Sequence, residues 1–287
     1  MTLIDTHQHL IHNDLIDYHW TASIPALAHR IFTARNYSRD LDGRAMAATI
    51  FMECDVDEAD LEREAEIVAA EMAAPHALLA GQIASCRPER DAGFEAWLDR
   101  ASALGVVGFR RVLHVVPDAI SRDSVLRRNL KRLGRRGFPF DMCFFPRQLA
   151  HCALELVRDC DEQTLVLDHC GCPDIAAGDF SAWARDIASL ASYDHVFCKL
   201  SGLTAYCAPG QHGPAVLRPW FQHALDCFGP DRMLWGSDWP VVNLGAGLSG
   251  WIDITSELLA PLSPSEREAI CSGTARRVYR LGDHLLI

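Results

Sequence analysis

The chain has 287 residues, of which 49 % are apolar and 23 % are charged, a composition typical of soluble enzymes. Its apolar runs fall short of the roughly 18–20 residues that span a bilayer, and the N-terminal residues lack the pattern of a secretory signal. The net charge of −11 argues against a surface that binds nucleic acid or anionic membranes.

The cysteine content predicts a reducing environment. Eleven cysteines are an odd number, and a chain of this length does not need a disulfide framework to fold. We therefore expect reduced thiols, a cytoplasmic location and one domain over residues 1–287. Oligomeric state stays open, and a homo-oligomer is compatible with the sequence.

Short apolar runs alternate with longer segments of helical periodicity along the whole chain. Eight runs are rich in Val, Ile, Leu or Phe and end in polar residues or glycine, as buried parallel strands do. The predicted strands are residues 3–7, 48–54, 78–84, 106–111, 139–144, 164–169, 195–200 and 233–236. The predicted helices are residues 56–74, 94–104, 124–135, 148–160, 180–190, 215–228 and 251–259, and a last one capped by Ser263.

Eight strands, each followed by a helix, predict an α/β fold of the (β/α)8 TIM barrel type. An open doubly wound sheet is the alternative, but no glycine-rich phosphate loop follows the first strand. A long segment, residues 12–44, separates strands one and two. It is either a packed cap on the barrel or a lid over its C-terminal face, and both interpretations remain open.

Four polar side chains come at the carboxyl ends of three predicted strands, where barrel enzymes place their reacting groups. His7 and His9 end strand one and lie two residues apart, so in extended chain they point to the same side. His169 closes strand six, and Asp238 follows strand eight. Each residue alone has a structural explanation, but their shared rim predicts an active site.

The motifs around these residues also carry a family resemblance. They are Asp-Thr-His-Gln-His at 5–9, Leu-Asp-His-Cys-Gly at 167–171, Lys-Leu-Ser-Gly-Leu at 199–203 and Trp-Gly-Ser-Asp-Trp-Pro at 235–240. With them the chain resembles the sugar-acid lactonase branch of the amidohydrolase superfamily over about residues 3–281. That branch includes L-fuconolactonase, L-rhamnonolactonase and, more distantly, 2-pyrone-4,6-dicarboxylate lactonase. The resemblance implies a hydrolase of carbohydrate metabolism that opens a sugar-acid (aldonate-type) lactone.

The resemblance leaves the metal content open. Superfamily members with two metals use a carboxylated lysine on strand four and a further histidine on strand five. Here strand four ends in Arg110 and strand five contains no histidine, which argues against two metals. His7, His9 and Asp238, with Glu53 or His169 as a further ligand, could hold one Zn2+ with an open coordination position, and catalysis without a metal is an equal alternative.

Hydrolysis of a lactone needs a deprotonated water, stabilisation of the carbonyl oxygen and a proton for the leaving alkoxide. Asp238 is the predicted base, taking a proton from water and returning it to the leaving oxygen. His7, His9 and His169 would polarise the carbonyl, either directly as donors or through a bound metal.

Substrate contacts are predicted for further polar and aromatic side chains near the same rim. Arg110 and Arg147 offer paired donors to a carboxylate or to vicinal oxygens. Glu53 would contact sugar hydroxyls, and Trp239 would form an apolar wall. The structural alternatives are a surface ion pair for Arg147, an arginine partner for Glu53 and a core position for Trp239. Lys199, at the end of strand seven, could be catalytic, and its structural alternative is a carboxylate partner.

Other functions remain open at this point. A metal-dependent decarboxylase of an unsaturated carboxylic acid would use a similar residue set in the same superfamily, and an amide or imide hydrolase is a further option. A catalytically silent barrel that binds sugar acids would keep Arg110 for binding but would not need Asp238 as a base. Release of CO2, opening of lactones, or binding without turnover would distinguish these functions.

Overall fold

The computed structural model describes residues 2–74 and 78–282, and its eight parallel strands pair in chain order from β1 to β8. The strands are β1 (Ile4–Gln8), β2 (Ala48–Met52), β3 (Leu79–Ser85), β4 (Val106–Val112), β5 (Phe140–Cys143), β6 (Leu165–Leu167), β7 (Val196–Leu200) and β8 (Met233–Trp235). Every predicted strand is present, and most of their residues are buried, because helices cover the outside and other strands the inside.

The barrel closes where the end of β1 meets the chain that follows β8. Gln8 and Trp239 form a parallel bridge. The backbone N–H of His9 donates to the carbonyl of Trp239 at 2.7 Å, and that of Asp238 donates to the carbonyl of His7 at 2.8 Å. We call this contact the seam. The nearly closed barrel confirms the predicted (β/α)8 fold and places the first sequence motif against the last.

The helices follow the predicted order. They are α1 (Ala34–Asp40), α2 (Leu61–Met72), α3 (Phe94–Ala103), α4 (Asp118–Ser121), α5 (Ser124–Arg136), α6 (Pro146–Gln148), α7 (Leu154–Asp159), α8 (Phe180–Ala191), α9 (Pro214–Phe228), α10 (Gly247–Leu259), α11 (Pro264–Glu268) and α12 (Thr274–Val278). The predicted helix 148–160 is interrupted, because a π-helical turn, Leu149–Ala153, separates α6 from α7. Ser263 caps α11 by accepting from the N–H of Glu266, as predicted. None of the helices in the described ranges is long and apolar enough to cross a membrane.

The segment after β1, residues 12–44, packs onto the barrel. The Tyr37 hydroxyl donates to Asp5 Oδ2 at 2.7 Å, and the indole N–H of Trp20 donates to the carbonyl of Cys54 at 2.7 Å. Tyr37 is buried. These contacts favour the cap interpretation over the lid interpretation.

The side chains inside the barrel change from apolar to charged along the strand direction. Because alternate residues point the same way, β6 and the residue after it present Val166 and then Asp168, and β7 presents Phe197 and then Lys199. Val166 belongs to an apolar cluster that also contains Tyr279, after α12. Asp168 and Lys199 are fully buried. An apolar layer therefore closes one end of the interior, and a charged layer lies between it and the rim.

Candidate active site

His7, His169 and Asp238 converge at the C-terminal rim of the barrel. One nitrogen or oxygen atom from each lies within 4.8 Å of the other two. His7 Nε2 is 3.7 Å from Asp238 Oδ1, and the ring centroids of His7 and His169 are 4.5 Å apart. All three residues are at most 5 % exposed. Residues separated by up to 231 positions thus form one cluster, as the strand-end pattern predicts.

His9 joins this cluster from the other side of Asp238. Its Nε2 lies 3.3 Å from Asp238 Oδ1, and its Nδ1 lies 2.9 Å from the carbonyl of Met52. Because a carbonyl only accepts, Nδ1 carries the hydrogen of that bond, and Nε2 faces the carboxylate. Imidazole nitrogens and carboxylate oxygens are ligands that zinc accepts, so the donor set fits a metal ion. The predicted metal set named His7, His9 and Asp238, with Glu53 or His169 as a further ligand, and the ligand atoms of His7, His169 and Asp238 lie close enough together to share one ion.

The turns that carry His169 and Asp238 have unusual backbone conformations. His169 has φ 53° and Asp238 has φ 63°, a left-handed region that residues other than glycine rarely adopt. Asp5 anchors the second turn: its Oδ1 accepts from the backbone N–H of Ser237 at 2.7 Å, and the same atom accepts from that of His7 at 3.0 Å. Such conformations persist only where surrounding contacts impose them, and they are frequent at functional sites.

Burial sets the charge state of two imidazoles. It holds the pKa of His7 well below its usual value, although the charge of Asp168 opposes the shift. Burial also lowers the pKa of His169, whose Nδ1 lies 2.9 Å from Ser201 Oγ. Both rings are therefore neutral at pH 7 and can donate through one nitrogen and accept through the other.

Arg110 and Glu53 pair with each other, so Glu53 has the arginine partner that was its structural alternative. Arg110 Nε lies 2.6 Å from Glu53 Oε1, and Nη1 lies 3.3 Å from Asp168 Oδ2 and 3.3 Å from His7 Nε2. Burial alone would raise the pKa of Glu53, but the charge and hydrogen bond of Arg110, together with the backbone N–H of Asp55 and the charge of Arg87, outweigh it and lower that pKa. Two buried charges need each other as partners, so Arg110 orients His7 while Glu53 neutralises Arg110.

Lys199 pairs with buried carboxylates, which is the structural alternative to a catalytic role for this residue. Its ammonium group lies 3.2 Å from Asp168 Oδ1 and donates to Asp141 and to the carbonyl of Thr6. Burial raises the pKa of Asp141 to about 7, against the opposing charge of Lys199. Burial also acts to raise the pKa of Asp168, but Lys199, His7 and Arg110 hold it well below its usual range. Asp168 stays ionised and faces His7 Nδ1 at 3.4 Å.

A cavity of about 820 Å³ opens beside this cluster. Its lining includes Phe145, Arg147, Cys172 and Tyr206, and the Tyr206 ring centroid is 6.2 Å from that of His169. Arg147 is well exposed, and its guanidinium group lies 3.5 Å from the carboxylate of Asp118. It therefore has the surface ion pair that was its structural alternative, although it also lines the cavity.

Trp239 lies in the core, which is the structural alternative to an apolar wall for substrate. It is fully buried, its ring packs edge-on against Phe32 and Tyr37, and its indole N–H donates to Asp40 at 3.0 Å. The seam fixes its backbone, so its side chain points into the cap instead of the cavity.

Sequence reasoning assigned no role to several residues that shape the site. Asp5, Asp168, Ser201 and Gly202 all stand inside the quoted motifs. Their position in those motifs was the available signal, but their contacts depend on which strands become neighbours.

The chain is similar to known proteins over nearly its whole length. The amidohydrolase family model matches residues 4–281. An L-fucono-1,5-lactonase from Burkholderia multivorans is 30 % identical over 97 % of this chain and 96 % of its own length. A crystal structure of an amidohydrolase from the same species, with bound zinc, has a TM-score of 0.87 at 27 % identity and covers 98 % of this chain and 100 % of its own.

A more distant structure shares the fold. A putative 2-pyrone-4,6-dicarboxylic acid hydrolase from Pseudomonas putida has a TM-score of 0.75 at 20 % identity, over 98 % of each chain. The family match spans the barrel from β1 to the residues after α12 and includes every side chain of the candidate site. On this match and on the full-length similarity to the lactonase, the chain belongs to the amidohydrolase family.

Proposed function

We propose that the protein is a hydrolase that opens sugar-acid lactones of the aldonate type. The observation that carries this proposal is the position of Asp238, whose carboxylate lies within 3.7 Å of both His7 and His9 at the rim of the barrel. The full-length similarity to an L-fucono-1,5-lactonase supports the same reaction.

The side chains can divide the steps of hydrolysis among them. Asp238 accepts a proton from water as the water oxygen attacks the lactone carbonyl, and it then gives the proton to the ring oxygen as the C–O bond breaks. His169 donates to the carbonyl oxygen through a ring nitrogen as negative charge develops there. Arg110 and Asp168 hold the His7 ring in place.

The four rim residues also fit one divalent metal. His7, His9, His169 and Asp238 would hold it, and zinc would lower the pKa of bound water and polarise the carbonyl. Elemental analysis of the purified protein and a chelator assay separate the two mechanisms. Zinc at one equivalent with activity lost on chelation supports the metal mechanism, and full activity without bound metal supports direct donation by the imidazoles.

Charge favours a neutral lactone over an anionic one. Arg110 is paired with Glu53 and Asp168, and Arg147 lies against Asp118. The described cavity lining also contains three carboxylates, which are Asp174, Asp179 and Asp186. A decarboxylase would need a cation free to bind the carboxylate of its substrate, so this arrangement favours the lactonase over that alternative.

A screen of lactones with a pH indicator tests the proposal, because ring opening releases an acid. We expect turnover of neutral six-carbon and 6-deoxy aldonolactones and at least tenfold lower kcat/KM for aldarolactones, which carry an extra carboxylate. Release of CO2 without lactone opening, or binding without turnover of any lactone, would contradict the proposal.

We also propose a cytoplasmic location. All eleven cysteines are free, and all but Cys207 and Cys227 are buried. Free thiols in this number fit a reducing compartment.

A further inference from the structure

A second group of side chains that can ligate a metal lies between α4 and the helical segment that follows β5. It consists of Asp118, the first residue of α4, and of His151 and Cys152, in the π-helical turn Leu149–Ala153. We call these three residues the surface cluster. One oxygen, nitrogen or sulfur atom from each lies within 4.8 Å of the other two. The cluster shares no residue with the rim or with the described lining of the cavity, so the proposed hydrolysis leaves it without a role.

The π-helical turn lets two consecutive residues face the same aspartate. In an α-helix, consecutive side chains point about 100° apart, because one turn takes about 3.6 residues. A π-helical turn holds more residues, so that angle is smaller. His151 and Cys152 therefore both reach Asp118, and His151 Nε2 lies 3.8 Å from Asp118 Oδ2. Single π-helical turns inside α-helices are frequent at functional sites.

The carboxylate of Asp118 is held so that one oxygen is left for an ion. Its Oδ1 accepts from Gln148 Nε2 at 2.7 Å and lies 3.5 Å from Arg147 Nη1, while its Oδ2 faces His151. The hydrogen bond from Gln148 lowers the pKa of Asp118, so the carboxylate is ionised at neutral pH. Carboxylates that bind metals are commonly oriented by such a hydrogen bond.

The separations in the surface cluster suit one tetrahedral ion after small side-chain movements. An oxygen and a nitrogen on the same zinc lie about 3.4 Å apart, and a sulfur lies about 3.6 Å from either of them. The observed separations of 3.8 Å and at most 4.8 Å therefore have to shorten by about 0.4–1.2 Å. The exposed ring of His151 is free to make such a movement.

Charge and ligand type select the ion. Burial raises the pKa of the Cys152 thiol, so this group is protonated in the free protein. On binding, the thiol releases its proton to solvent and keeps the electron pair that forms the metal–sulfur bond. The thiolate and the Asp118 carboxylate then balance a charge of +2, and a thiolate with an imidazole favours zinc over magnesium and calcium.

We propose that Asp118, His151 and Cys152 form a binding site for a zinc-like divalent cation between α4 and the π-helical turn. The site contains none of the rim residues that would hold a catalytic metal, and it does not depend on the proposed lactonase activity. Arg147 competes with the ion for the carboxylate of Asp118. Three protein ligands leave the fourth position of a tetrahedral ion for water.

Cobalt titration of the metal-stripped protein tests the site, because a cobalt–thiolate bond gives a near-ultraviolet charge-transfer band. We expect a saturable band in the wild type and at least a tenfold loss of its intensity in Cys152→Ser. Cys160→Ser is the matched control, since Cys160 is a buried cysteine directly after α7 and outside the surface cluster, and it should keep the band. Cys143→Ser should also keep it, which excludes binding at the cysteine that lies near Asp168 and His169.

The other two ligands are tested by the affinity for cobalt. His151→Asn should raise the Kd at least tenfold, and because His151 is exposed this variant is expected to fold. Arg147→Met removes the competing cation and should lower the Kd at least twofold. A band absent from the wild type or kept in Cys152→Ser, a Kd unchanged in His151→Asn, or a Kd that does not fall in Arg147→Met would overturn the proposal.

A second measurement needs only the wild type, so it does not depend on the folding of a variant. Diethyl pyrocarbonate modifies the ring nitrogens of exposed histidines, and His151 and His19 are both exposed and both lie against an aspartate. Saturating zinc should slow the modification of His151 at least tenfold, measured by mass spectrometry, and should leave that of His19 unchanged within about twofold. Equal modification of His151 with and without zinc would also overturn the proposal.

Discussion

Gly202 leaves the space in which two of the reacting side chains meet. A Cβ at this position would lie 2.7 Å from His169 Nδ1 and 2.9 Å from Asp238 Oδ2, closer than non-bonded atoms approach. Its φ of +68° is also unfavourable for other residues. One missing side chain thus controls how closely the base and an imidazole can approach each other.

Gly202→Ala should lower kcat/KM for the lactone by at least tenfold, since the new methyl group displaces His169 or Asp238. Gly210→Ala is a matched control, because Gly210 has φ +74° and no atom within 4 Å of the added carbon. Thermal unfolding should show backbone strain of about 1 kcal/mol in both variants. Equal kcat/KM in the two variants would show that the close approach of His169 and Asp238 at Gly202 is not needed for turnover.

Asp238→Asn tests the base directly. The change keeps the shape of the side chain but removes its ability to accept the water proton, so we expect kcat to fall about a thousandfold with an unchanged melting temperature. Asp179→Asn makes the same chemical change on the cavity lining, away from the rim residues, and should keep the wild-type rate. A loss below about tenfold in Asp238→Asn would assign the base to another group.

The inner faces of neighbouring strands carry the charged layer that supports the rim. Lys199 of β7 bridges Asp141 of β5 and Asp168 after β6, and all three side chains are fully buried. The lysine stands between two carboxylates, so its removal would leave negative charge without a partner inside the barrel.

Lys199→Met should lower the free energy of unfolding at pH 7 by about 3–5 kcal/mol, measured by urea denaturation. Lys199 keeps the pKa of Asp168 low, so the stability it adds is present at neutral pH and is lost as the pH falls and the carboxylates become protonated. The deficit of the variant should therefore shrink in acid. Arg136→Met removes an exposed pair with Glu95 and should change stability little at either pH. A pH-independent deficit in Lys199→Met would argue for lost packing instead of lost charge.

The elements were predictable from the sequence to different degrees. Strand positions agreed within two residues, because alternation and burial leave a strong local pattern. The helix over 148–160 was predicted as continuous, since the π-helical turn Leu149–Ala153 keeps apolar residues at helical spacing.

Side-chain partners were harder to predict than strands. His7, His9, His169 and Asp238 could be placed at one rim because strand ends of a barrel share a face. That Arg110 is the arginine that pairs with Glu53 could not be predicted, because this depends on three-dimensional distances that a linear pattern does not contain.

The molecule as a whole has a net charge of −11, and the proposed reaction turns a neutral substrate into an anion. Long-range attraction therefore does not help a neutral lactone to bind, while long-range repulsion favours departure of the carboxylate product. At low salt this field extends over roughly 30 Å, and it is strongly reduced near 1 M.

Raising the ionic strength from about 0.01 M to about 0.2 M should leave kcat/KM for a neutral lactone unchanged within about twofold. Inhibition by the product acid should strengthen over the same range, because salt screens the repulsion. Initial rates with and without added product measure both effects. Weaker product inhibition at higher salt would indicate a local attraction that dominates the overall charge.

The seam has a consequence for biosynthesis. A growing chain on the ribosome displays His7 and His9 early, but the carboxylate that faces them is translated more than two hundred residues later. Catalytic competence therefore arises only once the final strand has docked, and a truncated or stalled translation product would carry the histidines without the ability to cleave an ester.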